Sequence, residues 1–252
     1  MSEPKVLPEA EPMSADGGPA GVLVIHGFTG NPSSMRSIAE ACAVAGHAVE
    51  MPRLPGHGTT VEDMLTTSWA DWTAEVDAAY QRLAARCERV VVAGLSMGGT
   101  LTLWTAAHHP EVAGIVLVNA ASEPSQEMRD ALQAMVDAGE TLMDGIGSDI
   151  ADPDVTESAY DQVPVPQLVS MLDGVASLQD QLPRITAPAL IMTSAEDHVV
   201  APTASEHLAR TLGGPIERLT LERSYHVATL DHDKDLIVER ILDFVDRVAS
   251  GG

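Results

Sequence analysis

The stretch Val90-Val91-Val92-Ala93-Gly94-Leu95-Ser96-Met97-Gly98-Gly99 limits what this chain can fold into more than any other. It runs from β-branched residues into a serine flanked by glycines, and then into residues that favour a helix. A serine on a sharp strand-to-helix turn sits in strained backbone geometry, and only glycine beside it lets strand and helix approach closely. Such a turn projects the Ser96 hydroxyl beyond the end of the strand. It also makes the Met97 N–H one of the unpaired amides at a helix N-terminus, aimed at any oxygen bound there. The chemistry suited to this arrangement is acyl transfer. The alternative is an ordinary Gly/Ser turn, and the pentapeptide alone does not choose between them.

Other segments carry residues that such a serine would need. Val22-Leu23-Val24-Ile25 reads as a buried strand ending in His26-Gly27-Phe28-Thr29-Gly30. Ala189 to Ser194 reads as another, opening into Ala195-Glu196-Asp197-His198-Val199-Val200, where Glu196 and Asp197 compete as the acid. Ile216 to Leu221 alternates like a last strand and leads to Ser224-Tyr225-His226. A histidine there can accept the serine proton on Nε2 while a carboxylate holds Nδ1–H. His26 precedes its glycine loop and reads as a structural histidine. His57, in the irregular loop Met51-Pro52-Arg53-Leu54-Pro55-Gly56-His57-Gly58, reads as a brace. His198, His207 and His232 lie near His226 in sequence, and two of them fall in apparent helices as solvated residues.

Taken in order, His26-Gly27-Phe28-Thr29-Gly30-Asn31, Gly56-His57-Gly58, Gly94-Leu95-Ser96-Met97-Gly98-Gly99, Glu196-Asp197 and Ser224-Tyr225-His226-Val227-Ala228-Thr229-Leu230-Asp231 span nearly the whole chain. The sequence thereby resembles the bacterial carboxylesterase and monoacylglycerol lipase branch of the α/β-hydrolase superfamily. Tyr225 stands where relatives often have glycine, which narrows the space beside the base. The resemblance implies Ser96 as nucleophile, Asp197 rather than Glu196 as acid, and His226 as base. It also implies an oxyanion hole made by the Phe28 and Met97 amides, with no metal or organic cofactor. The implied substrates are esters of short to medium acyl chains, including monoacylglycerols. Thioester hydrolysis, acyl transfer, cofactor-free perhydrolysis and a slow-turnover receptor are alternatives on the same scaffold.

Strands alternate with helical segments, the pattern of a mostly parallel sheet covered by helices on both faces. Helices are expected over Ser33 to Ala45, Ser68 to Cys87, the residues after Ser96, Ala204 to Leu212, and Lys234 to Ala249. Residues 20–121 and 182–252 form the expected α/β core. Residues 1–19 are an extension, either partly disordered or adding one short edge strand. Residues 122–181, after the strand that follows the nucleophile helix, break the alternation where this fold places a helical cap. Methionine fills irregular apolar gaps, so Met128, Met135, Met143 and Met171, with Leu168 and Val199, are the candidate substrate contacts. Asp144-Gly145-Ile146-Gly147-Ser148-Asp149 lacks the spacing of a calcium loop and reads as a solvated turn.

Composition bounds the partners. Of 252 residues, 14 are basic and 37 acidic, a formal charge of −23 that repels nucleic-acid phosphates and anionic lipid but not a neutral ester. No apolar run reaches the ~18 residues of a membrane span, and the N-terminus has no basic segment followed by an apolar one. The expectation is a cytoplasmic enzyme without stable membrane insertion, as a monomer or homodimer. Cys42 and Cys87 have neither metal-ligand nor pairing patterns and read as reduced packing residues.

Overall fold

The computed structural model describes residues 4–250. In chain order the strands are β1 (Met13–Ala15), β2 (Ala20–Ile25), β3 (Ala48–Met51), β4 (Arg89–Leu95), β5 (Gly114–Val118), β6 (Leu142–Asp144), β7 (Gln162–Pro164), β8 (Ala189–Ser194) and β9 (Ile216–Leu221). The helices are α1 (Arg36–Val44), α2 (Val61–Met64), α3 (Trp69–Ala84), α4 (Met97–His108), α5 (Gln126–Asp137), α6 (Val165–Leu178), α7 (Thr203–Thr211) and α8 (Lys234–Ala249). Seven strands form one sheet in the order β1-β3-β2-β4-β5-β8-β9. Every neighbouring pair is parallel except β1 with β3, in which Ser14 faces Glu50.

The apolar runs in the central strands are two-sided, as a sheet covered on both faces requires. On one face Leu23, Ile25, Val90, Val92, Ile115, Leu117 and Ile191 pack beneath α3, α4 and α6, with Trp72, Tyr80 and Leu101 fully enclosed. On the other, Val22, Val24, Val91, Ala93, Val116, Val118 and Leu190 pack against α1 and α8 through Ile38, Cys42, Ile237, Ile241 and Phe244. Successive residues of one strand therefore serve opposite cores, the period-two consequence of the pleat. Cys42 is buried in the second core, where desolvation pushes its thiol up to about 12; both cysteines are free.

The helix expected from Ser33 begins as a 3-10 turn at Pro32–Met35, because Asn31 caps it through the Ser33 amide; α1 proper starts at Arg36. Residues 122–181 differ more. They are helical at both ends, in α5 and α6, but between these β6 and β7 pair as an antiparallel ribbon, Met143 opposite Val163. Each ribbon strand has three residues, too short for alternation to register in sequence. This cap segment crosses the loops at the C-terminal ends of the sheet strands. The Asn31 amide donates to the Ser158 carbonyl at 2.6 Å, the Tyr160 hydroxyl to the Gly56 carbonyl at 2.7 Å, and the Gln167 amide to the Leu65 and Thr67 carbonyls. No helix among the described residues is long and apolar enough to cross a membrane.

Candidate active site

Between β4 and α4, Ser96 has φ 56° and ψ −119°, outside the right-handed regions open to ordinary residues. Holding it there costs on the order of 1–3 kcal/mol, supplied by the packing around it. Gly98 shows why the turn tolerates no side chain. A Cβ there would stand 2.2 Å from the Ile25 carbonyl oxygen and 2.7 Å from that of His26, so α4 could not approach β2. The Ser96 N–H donates to the Val118 carbonyl at 2.9 Å, anchoring the turn to the next strand.

The loop after β2 runs beside this turn. A Cβ on Gly27 would lie 3.4 Å from the Ser96 Cβ, so the chain at Gly27 passes close beside the serine. Among the described residues, neither the Phe28 nor the Met97 N–H has a hydrogen-bond partner. The loop is braced from behind by buried rings. His26 donates from Nδ1 to the Gly27 carbonyl at 2.9 Å and accepts the Leu54 N–H on Nε2 at 3.2 Å. Its ring meets His57 edge-on at 5.1 Å, and Trp72 closes on both His57 and Phe28. Neither histidine is a base poised at neutral pH. Burial lowers His26 to about 4, and burial with the neighbouring His26 holds His57 well below its ordinary value.

Stability should therefore depend on pH. His26 is neutral when folded and protonates near 6.5 when unfolded, so the unfolded chain binds the extra proton between about pH 6.5 and 4, and stability falls as pH falls through that window. From pH 7 to pH 5 the loss from His26 alone is about 2 kcal/mol. Urea unfolding at the two pH values measures it, and His26→Asn should flatten the slope; an unchanged slope would show that His26 does not carry the effect.

Beyond β8, Asp197 is buried, with its side chain 1 % exposed. Its Oδ1 accepts the Val199 and Val200 amides at 2.9 and 2.8 Å, and its carboxylate accepts from His226 Nδ1 at 2.8 and 3.0 Å. The amides fix the carboxylate as an acceptor and the carboxylate fixes the proton on Nδ1, so Nε2 is left as a base. Among the described residues the competing acid, Glu196, makes no side-chain hydrogen bond or ion pair, and its side chain is exposed. The His226 carbonyl accepts from Asn119 Nδ2 at 2.8 Å, and Asn119, at φ 46°, also bonds Ser194. Among the described residues the Ser96 hydroxyl enters no hydrogen bond, so the serine and imidazole are not joined in this state. Such contacts commonly tighten only when substrate is bound.

The candidate substrate contacts are dispersed. Met171 is buried, Met135, Met143 and Leu168 are partly buried against the same core, and Met128 and Val199 are exposed. Two acidic residues of the cap segment come close to the site without any signal in the sequence. Asp149, in the stretch expected to be a solvated turn, is instead only 12 % exposed, because its carboxylate bonds the loops carrying Asp197 and His226. Glu157 is half-buried against the loop after β2. A Cβ on Gly30 would stand 2.8 Å from its Oε1, and desolvation, opposed by the charge of His226, pushes its carboxyl up to about 7. No side-chain spacing marks these two residues because the contacts form across the fold. Among the described residues no group of three or more His, Cys, Asp or Glu is disposed to hold a metal ion.

Comparison with known proteins agrees with this geometry. The chain is 47% identical over 243 residues, 95% of each protein, to a thermostable monoacylglycerol lipase of Bacillus sp. (strain H-257). It is 24% identical over 241 residues, 94% of this chain and 97% of the other, to a carboxylesterase of Bacillus subtilis (strain 168). A solved structure from work on LipS and LipT, two metagenome-derived lipolytic enzymes, superposes with a TM-score of 0.92 at 47% identity, covering 96% of this chain and 100% of that one. Residues 19–233 match the family described as Hydrolase_4, serine aminopeptidase S33. With a seven-stranded sheet of this order, a strained serine between strand and helix, and a match over most of its length, the chain belongs to the Hydrolase_4 family and has the α/β-hydrolase fold.

Proposed function

We propose that this carboxylic ester hydrolase cleaves monoacylglycerols and other esters of short to medium acyl chains through Ser96, His226 and Asp197. The observation that carries the reading is the fixed tautomer of His226. With Nδ1–H committed to a carboxylate that two amides hold in place, Nε2 is the ring's basic atom. Ser96 attacks the ester carbonyl as Nε2 takes its proton. The Phe28 and Met97 amides receive the negative charge that develops on the carbonyl oxygen. The imidazolium then gives its proton to the departing alcohol, leaving an acyl-serine. Water, deprotonated by the same nitrogen, releases the acid and restores the hydroxyl.

Glu157 favours a polyol as the alcohol. A carboxyl that titrates near neutrality against the loop after β2 can both accept and donate a hydrogen bond, which suits the free hydroxyls of a glyceryl ester better than a methyl ester. The apolar side chains of the cap segment, Met143 and Leu168 among them, with Val199 of the loop after β8, take the acyl chain. The experiment compares kcat/KM for 1-monoacylglycerols and methyl esters over a series of acyl lengths. Glu157→Ala is expected to lower the glyceryl-ester value about tenfold, the worth of one charge-assisted hydrogen bond, while sparing the methyl ester. Equal loss on both would remove Glu157 from the alcohol site. Failure of the wild-type protein to hydrolyse any glyceryl ester would remove monoacylglycerol from the substrate class.

A further inference from the structure

Segment 149–152 of the cap and loop 225–232 hold each other through carboxylates contributed by both. From the cap, Asp149 Oδ2 accepts the His226 N–H at 3.1 Å and the His198 N–H at 3.2 Å, and its Oδ1 accepts from the His198 ring Nδ1 at 2.8 Å. The Asp149 carbonyl accepts the Val227 N–H at 3.1 Å. In return, Asp231 of the loop accepts the cap amides of Ala151 at 2.7 Å and Asp152 at 3.1 Å, and those of Tyr225 and His232 in its own loop. Asp231 is buried; desolvation pushes its carboxyl up, but the four amides together outweigh that and hold it below the usual range.

His226 is thus held at three points: its ring by Asp197, its carbonyl by Asn119 and its N–H by Asp149. Asp197 and Asn119 come from the ends of core strands β8 and β5. Asp149 comes from the cap, and the bonds its carboxylate makes go to the two loops that carry the acid and the base. Proton transfer requires Nε2 within about 2.6–3.2 Å of the serine oxygen, and an error of about 1 Å in such a placement can cost ~10²-fold in rate.

We propose that Asp149 is a positioning residue for the acid–base step, through which the cap sets the reach of the His226 imidazole as well as covering the substrate. The inference rests on the assignment of Ser96, His226 and Asp197 above. Asp149→Ala leaves the His226 and His198 N–H groups without their carboxylate acceptor, so on the cap side the base-bearing loop keeps only the Asp149 carbonyl and the Asp231 bonds. Asp149→Asn keeps an oxygen for the two amides, while His198 can change tautomer to accept from the new NH2 group.

Steady-state hydrolysis of p-nitrophenyl butyrate by wild type, Asp149→Ala, Asp149→Asn and Ser96→Ala, with thermal melts of each, tests the assignment. The alanine variant is expected to lose about 10- to 100-fold in kcat with KM within about threefold of wild type, and the asparagine variant to stay within about threefold in both. Three results overturn the proposal: an alanine variant with unchanged kcat, a rise in KM with kcat preserved, or an asparagine variant as impaired as alanine. If Asp149→Ala does not fold, Asp149→Glu takes its place. It keeps the charge and both acceptors on an arm one methylene longer, with the same split expected and unchanged kcat overturning the proposal. Hydrolysis that survives Ser96→Ala overturns the catalytic assignment itself, whereas Ser96-dependent hydrolysis at full rate in Asp149→Ala overturns only the positioning role of Asp149.

Discussion

Ser96→Ala should abolish ester hydrolysis, lowering kcat by roughly 10⁴- to 10⁶-fold, while leaving the fold and its melting transition in place. Among the described residues the hydroxyl makes no hydrogen bond that the folded state would lose, and alanine keeps the Cβ that already sits at φ 56°. The variant therefore separates chemistry from stability. The residual rate reports what the Phe28 and Met97 amides do without a nucleophile. Glycine in the same place should also be inactive yet more stable by on the order of 1 kcal/mol, because it adopts positive φ without the strain that serine bears. Activity is followed with p-nitrophenyl butyrate and stability with thermal melts. A Ser96→Ala protein that turns over near the wild-type rate would refute the nucleophile, and a glycine variant less stable than wild type would refute the strain.

Asp197→Asn should cost about as much in rate as the serine itself, near 10⁴-fold, although it removes no bulk. The reason lies in what surrounds the carboxylate. The Val199 and Val200 amides both donate to Oδ1, so an asparagine must keep its oxygen there and turn its NH2 group toward the ring. His226 Nδ1, at 2.8 Å from Oδ2, then has to accept rather than donate, and the imidazole proton moves to Nε2. A base with its proton on the wrong nitrogen cannot take one from serine. Asp197→Ala, with no NH2 group to impose that tautomer, should retain more activity than asparagine, even though it disturbs the loop more. The order of the two variants in kcat is the test, and asparagine exceeding alanine would show that the carboxylate acts by some route other than the tautomer.

Much of this protein was legible along the chain because the responsible forces are local. Runs such as Val22 to Ile25 and Ala189 to Met192 are apolar at every position, which suits a strand buried on both faces, and both lie inside the sheet with a neighbour on each side. The glycines around Ser96 marked the close crossing of α4 over β2, since no other residue fits there. The helix over Lys234–Ala249 followed from its one-sided pattern, and its Ile237, Ile241, Phe244 and Val245 are the residues enclosed. The choice of Asp197 over Glu196 needed the family resemblance first. The structure then added its own reason, because the turn that follows aims two amides at Asp197.

Tertiary structure alone decided the rest. Asn119 on the His226 carbonyl, Asp149 on its amide and Glu157 against Gly30 are polar side chains whose partners stand 107, 77 and 127 positions away in sequence. A carboxylate in an acidic chain looks the same whether it meets water or a buried amide, because hydrogen bonding depends on which segments the folded sheet brings together and not on any period within one segment. Sequence thus determined the scaffold and the strained serine through backbone sterics and apolar periodicity. Contacts among the loops beyond β5, β8 and β9 and the segment carrying Asp149 decided how His226 is held, because that is a property of contact between distant segments.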